Sequence, residues 1–141
     1  MTIQIFFDGA TGPKNPGHGG AGWAIYFENK PPIGSYMYLG PDRTNNEAEY
    51  AALIYSLLHG IELGINNQRV DIYGVSQLVI KQVNSEWKNK QYHLQTLMDT
   101  AHNFLSRYTN YNLRWIPREY NSAADRMSVM ALNKQGIRSM R

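Results

Sequence analysis

Val70-Asp71-Ile72-Tyr73-Gly74-Val75-Ser76-Gln77-Leu78-Val79-Ile80 reads as a strand that ends in a sharp turn and enters a helix. An open sheet commonly places reactive side chains at such strand ends. Three other segments carry an acid suited to meet this turn: Asp8, Glu49 and Asp125. The residue at the turn itself is Val75, which can bind no metal and move no proton. The functional reading depends on that position.

Working outward, 141 residues with 43% hydrophobic content suit one domain, spanning 1–141, with a single core. No apolar run is long enough for a transmembrane helix, so no membrane partner is expected. The start, Met1-Thr2-Ile3-Gln4-Ile5-Phe6-Phe7-Asp8, lacks a basic n-region and a cleavage site and reads as a first strand. The absence of cysteine excludes disulfides and thiolate zinc sites, which makes a cytoplasmic setting the default expectation. A net charge of +3 permits a polyanionic partner without demanding one.

Residues 3–8 form a first strand stopping at Asp8-Gly9, residues 20–28 a second and residues 33–40 a third, joined by short connections as an antiparallel meander. Thr44-Asn45-Asn46-Glu47 has capping-box form, and Leu53, Leu57, Leu58 and Ile61 follow at helical spacing up to Gly64. Then come the strand 69–74, a short helix 76–83, a polar link 84–90, a helix from 92 to about 107, a strand 111–116 stopped by Pro117, and a last helix starting near Asn121 or Ser122. The order predicts an α/β fold: a mixed five-stranded sheet covered by helices, with right-handed crossovers between the later strands.

The acids carry distinct readings. Asp8 stands at the end of the first strand before a glycine-rich loop, which suits a metal facing a phosphate; an Asp-Gly pair also simply starts turns. Glu49 continues the row of Leu53 and Leu57 toward the sheet, whereas Glu47 is taken by the helix cap. Asp125 lies in the first turn of the last helix, where Ser122-Ala123-Ala124-Asp125 also fits a capping box.

Taken together, Phe7-Asp8-Gly9-Ala10 with Asn15-Pro16-Gly17 and Ala21-Gly22-Trp23, then Thr44-Asn45-Asn46-Glu47-Ala48-Glu49-Tyr50, then Tyr73-Gly74-Val75-Ser76-Gln77-Leu78-Val79, then Asn121-Ser122-Ala123-Ala124-Asp125-Arg126 resemble the type 1 ribonuclease H family over nearly the whole chain. The resemblance implies a ribonuclease H-like fold and a monomer that cleaves the RNA strand of RNA–DNA hybrids with two Mg²⁺ (or Mn²⁺) ions. Asp8 would bridge both ions, Glu49 would serve one and Asp125 the other. Hard divalent cations want such oxygens, and carboxylates crowded together repel one another until a cation arrives. Thr44 and Asn46 would form a pocket for a DNA-strand phosphate. Asn45 and Gln77 would read the minor groove and the RNA 2′-OH. Asn121 would be a supporting contact, an RNA contact or the N-cap.

Three departures stand out. The family has Asp where this chain has Val75, so a metal ligand and a negative charge are missing. Either a natural variant, inactive or rescued by a neighbour, or an introduced substitution accounts for it. Asp71 shares that face of the strand but lies about 13 Å away. The loop before the last helix is Pro117-Arg118-Glu119-Tyr120, where some family members carry His; Arg118 could hold a phosphate and Glu119 could sit near a metal, or both could face solvent. The link 84–90 is short, with Trp87 either covering the core or stacking near the DNA strand. Two alternatives remain beside the enzyme: an inactive hybrid or double-stranded RNA binder, and an interaction domain of a polymerase- or integrase-like system.

Overall fold

The computed structural model describes residues 2–141. Strands β1 (Thr2–Gly12), β2 (Gly17–Tyr26), β3 (Ile33–Arg43), β4 (Arg69–Gly74) and β5 (Asn110–Trp115) form one sheet in the order β3-β2-β1-β4-β5. The first three pair antiparallel, and β4 pairs parallel with both β1 and β5. The helices are α1 (Asn45–Glu62), α2 (Gln77–Val83), α3 (Tyr92–Leu105) and α4 (Ser122–Asn133). This is the mixed five-stranded α/β sheet that the order of elements predicts. Among the described residues, no helix is long and apolar enough to cross a membrane.

Strand alternation decides which helix meets which face. A side chain on Gly9 would lie 2.4 Å from the Glu49 backbone nitrogen, so that face of β1 carries α1. A side chain on Gly22 would lie 2.1 Å from the Ser128 nitrogen, so the opposite face of β2 carries α4. The main core lies on the α1 side: Ile3, Ile5 and Phe7 of β1 and Ile72 of β4 pack with Tyr50, Leu53 and Leu57 of α1 and Leu94 of α3. Burying such side chains contributes roughly 1.5–3 kcal/mol each before conformational entropy is counted.

Local chemistry fixes the ends of α1. The Glu47 amide donates to Thr44 Oγ1 (3.1 Å) and the Thr44 amide donates to Glu47 Oε1 (2.8 Å), completing the expected capping box. Gly64, just past the helix, takes φ +76°, a left-handed conformation that favours glycine.

Several expectations need correction. The first strand does not stop at Asp8; it continues to Gly12 because β2 goes on pairing with it as far as Gly12↔His18. The glycine-rich stretch after Asp8 is therefore mostly hairpin. The last helix has Asn121 as N-cap without a side-chain capping bond, so Ser122 and Asp125 form no capping box. The Asn121 side chain is turned instead into the sheet, where its amide donates to Phe7 O at 2.9 Å. Pro117-Arg118-Glu119-Tyr120 includes a 3-10 turn over Arg118–Tyr120. Trp87 is 47% exposed and does not cover the core.

Candidate active site

The site forms where the sheet splits. Pairing of β1 with β4 ends at Phe7↔Gly74, while pairing with β2 continues through Asp8↔Gly22. Asp8 is thus the first residue of the central strand to lose its partner on one side. It faces the α4 side, and the missing side chain of Gly22 lets the first turns of α4 come close enough to bring Asp125 alongside. Glu49 approaches from α1 on the other side and accepts a hydrogen bond from the Gly9 amide at 2.6 Å. Asp8 is fully buried and Glu49 nearly so.

Two arginines sit among these acids. Arg118 places Nη1 3.0 Å from Asp8 Oδ2 and 3.6 Å from Asp125 Oδ1. Arg141 places Nη1 2.6 Å from Asp8 Oδ2, bonds Asp125 through the same nitrogen, and donates from Nη2 to the Gly9 carbonyl. Burial pushes the Asp8 carboxyl above its ordinary range, outweighing both guanidiniums. Burial first, and then the Asp8 charge, push Glu49 well above its ordinary range, although the Gly9 amide opposes this.

The donor set is all oxygen and suits a hard divalent cation. The Arg141 guanidinium, in contact with both Asp8 and Asp125, stands in for such a cation. Among the described residues no three acids or histidines close on a common point as ligands would; the guanidiniums hold the carboxylates instead. Val75, at the turn out of β4, lines the same cleft as Glu49 and supplies no side-chain oxygen to it. Its carbonyl accepts from Trp115 Nε1 at 2.9 Å, pinning the turn to β5. Ser76 caps α2 by accepting from the Val79 amide at 3.2 Å.

Half of the sequence-predicted residues, Asn45, Asn46, Glu49, Val75 and Arg118, line one cleft of about 480 Å³ together with Gly9, Thr11, Ser76, Met140 and Arg141; Asp8 and Asp125 are not in its lining and meet it through Arg118 and Arg141. Asn45 is tied down twice: its amide donates to Asn15 Oδ1 at 3.1 Å, and its side-chain oxygen accepts from Thr11 Oγ1. Thr44 is occupied by the cap of α1. Gln77 opens α2 with an exposed side chain, outside the lining of the cleft. Asn121 is 1% exposed and supports Phe7, the residue next to Asp8. Glu119 is exposed on its turn. Sequence reading missed Arg141 altogether: the stretch 134–141 carries no periodicity or motif that would signal contact with Asp8.

Residues 6–131 match the reverse transcriptase-like family. The chain is 30% identical over 135 residues to a Ribonuclease HI of Halobacterium salinarum, covering 93% of this chain and 64% of that protein. It is 31% identical over 140 residues to the Bifunctional protein of Mycobacterium tuberculosis, covering 94% of this chain but only 36% of that one. The chain therefore spans less than two thirds of the length of these relatives. The crystal structure of LC11-RNase H1 in complex with an RNA/DNA hybrid superposes with a TM-score of 0.86 at 31% identity, over 94% of this chain and 98% of that one.

Proposed function

The chain belongs to the type 1 ribonuclease H family, and from that premise we propose that it binds RNA–DNA hybrids and hydrolyses the RNA strand endonucleolytically, at a rate lowered by Val75. The observation that supports this most is that Asp8, where β1 outruns β4, has Asp125 of α4 beside it through a shared guanidinium and Glu49 of α1 beside it on the next residue's amide. Those three residues would hold the divalent ions, Mg²⁺ or Mn²⁺. Bound there, such ions supply Lewis acidity toward the phosphate and an activated water.

The chain's own groups set the geometry. Asp8 is fully buried and held by Arg118 and Arg141, and the Gly9 amide orients Glu49. Asn121 steadies the Phe7 carbonyl beside Asp8. Asn46 and the Thr44 hydroxyl at the N-terminus of α1 would take a DNA-strand phosphate, helped by the helix dipole. Asn45 and Gln77, both amides, would meet the minor groove and the 2′-OH. Arg118, 46% exposed, has donors left over for a backbone phosphate. The reading takes the working unit as a cytoplasmic monomer.

A second reading is favoured by one observation: a valine at the missing ligand position together with two guanidiniums bound to the remaining acids. Such a site is a hybrid-binding surface without cleavage. Assaying the chain and Val75→Asp on a labelled hybrid with Mg²⁺ and Mn²⁺ separates the two. Cleavage by both, faster in the variant, supports the enzyme. Tight binding with cleavage by neither supports the binder.

A further inference from the structure

Arg141 is held at the acids by a built path. The Met140 amide donates to Thr11 O at 3.0 Å, extending the edge of β1. The Arg141 amide donates to Ser139 Oγ at 2.8 Å, and Ser139 is buried. The preceding backbone lies so close to β1 that a side chain on Gly12 would sit 2.0 Å from the Arg138 carbonyl. This seating delivers the guanidinium to Asp8, to Asp125 and to the Gly9 carbonyl. These are oxygen atoms of the kind a hard cation takes.

From this geometry we infer that Arg141 is a tethered cation that competes with a divalent ion for the bridge between Asp8 and Asp125. The inference rests on the reading of these acids as a cation site, and not on hydrolysis. A guanidinium and a divalent ion cannot share one pair of carboxylates without strong like-charge repulsion. Ion binding therefore requires the Arg141 side chain to leave, and the free energy of its contacts is subtracted from the affinity for the ion. Val75 sharpens the competition. A site with one carboxylate fewer holds a divalent ion less strongly, while a single positive charge satisfies it more nearly.

The test is calorimetric titration of the whole chain with Mn²⁺, alongside Arg141→Gln and Gly12→Ala, with thermal melts to establish that each is folded. Arg141→Gln removes the charge; Gly12→Ala unseats the segment while leaving Arg141 in place. Both are expected to tighten Mn²⁺ binding by at least about tenfold, since each removes a cation from contact with the site. Arg138→Gln, an exposed charge in the same segment, is expected to bind as the parent does. In the parent, the Met140 amide resonance should move in step with Mn²⁺-site occupancy when diamagnetic Mg²⁺ is used as the titrant. Equal affinity in the parent and Arg141→Gln overturns the inference, as does an equal gain from Arg138→Gln. Failure of every variant to cut a hybrid would count against the proposed activity while leaving these affinities unaffected.

Discussion

Arg118 reaches across 110 residues of sequence to place Nη1 3.0 Å from Asp8 Oδ2. The acid is fully buried and the arginine about half exposed, so the pair has a protein side and a solvent side. The solvent side opens on the cleft that carries Asn45 and Asn46. Arg118→Ala is expected to weaken hybrid binding about equally for all sequences and to lower the salt slope of log affinity by about 1. Binding isotherms at several salt concentrations measure it; an unchanged slope would show that Arg118 serves Asp8 alone.

If the proposed activity is right, Val75→Asp supplies a fourth carboxylate at the turn into α2. Loss of groups that merely orient metal ligands costs 10–100-fold, so regaining a ligand is expected to raise Mn²⁺-supported hybrid cleavage by about 100-fold or more. Single-turnover rates with both proteins check this. The Trp115 bond to the Val75 carbonyl involves only backbone at that position, so the turn itself should survive the change.

The acids make the metal-free protein sensitive to pH. Burial raises the folded-state Glu49 carboxyl well above its ordinary value, so the folded state holds a proton that the unfolded chain has already released. Stability should therefore fall as pH rises from the unfolded carboxyl range, near 4.3, and level off once the folded-state value is passed. Glu49→Gln keeps an acceptor for the Gly9 amide and removes the charge. Melts across pH 4–8 in chelator should show the variant gaining a few degrees at neutral pH and a flatter profile.

Gly22→Ala should do damage far beyond its size. The added methyl would sit 2.1 Å from the Ser128 backbone nitrogen, which cannot rotate away. Overpacking of this kind costs typically 1–3 kcal/mol. Here it also lifts the helix that carries Asp125. Denaturant unfolding is expected to show a loss toward the upper end of that range, together with weakened cation binding.

Thr44 has two claims on its hydroxyl, the cap of α1 and a phosphate. Thr44→Ala should cost about 1 kcal/mol of stability through the lost cap, whereas Thr44→Ser should cost little. Comparing urea midpoints with hybrid affinities for the two variants separates the roles.

Much of this site was legible in the sequence because it depends on local rules. The capping box at Thr44 and Glu47, the two-residue offset that turns Glu49 inward, and the strand-to-helix turn at Val75 all follow from neighbours in the chain. The length of β1 did not follow. Asp8-Gly9 carries a turn signal, yet pairing with β2 overrides it, and that pairing runs on to Gly12↔His18. At α4 the N-cap position is Asn121, one of the expected places, but the Ser122–Asp125 box does not form, and Asn121 spends its side-chain amide on Phe7, a contact spanning 114 residues that no local pattern signals. Arg141 was invisible because its position depends on close approach between two backbones, which no side-chain pattern reports.

The parity of β1 carries a constraint of its own. Asp8 and Gly9 are adjacent, and each can serve only its own side of the sheet: the acid under α4, the bare position under α1. One residue inserted upstream within the strand would carry the acid into the place that Gly9 holds, burying a carboxylate against the Ala48 backbone and taking it away from Asp125. Length variation in this molecule should therefore be confined to the connections at 29–32 and 84–90. A deep insertion and deletion scan should find β1 intolerant of length change and those two connections permissive.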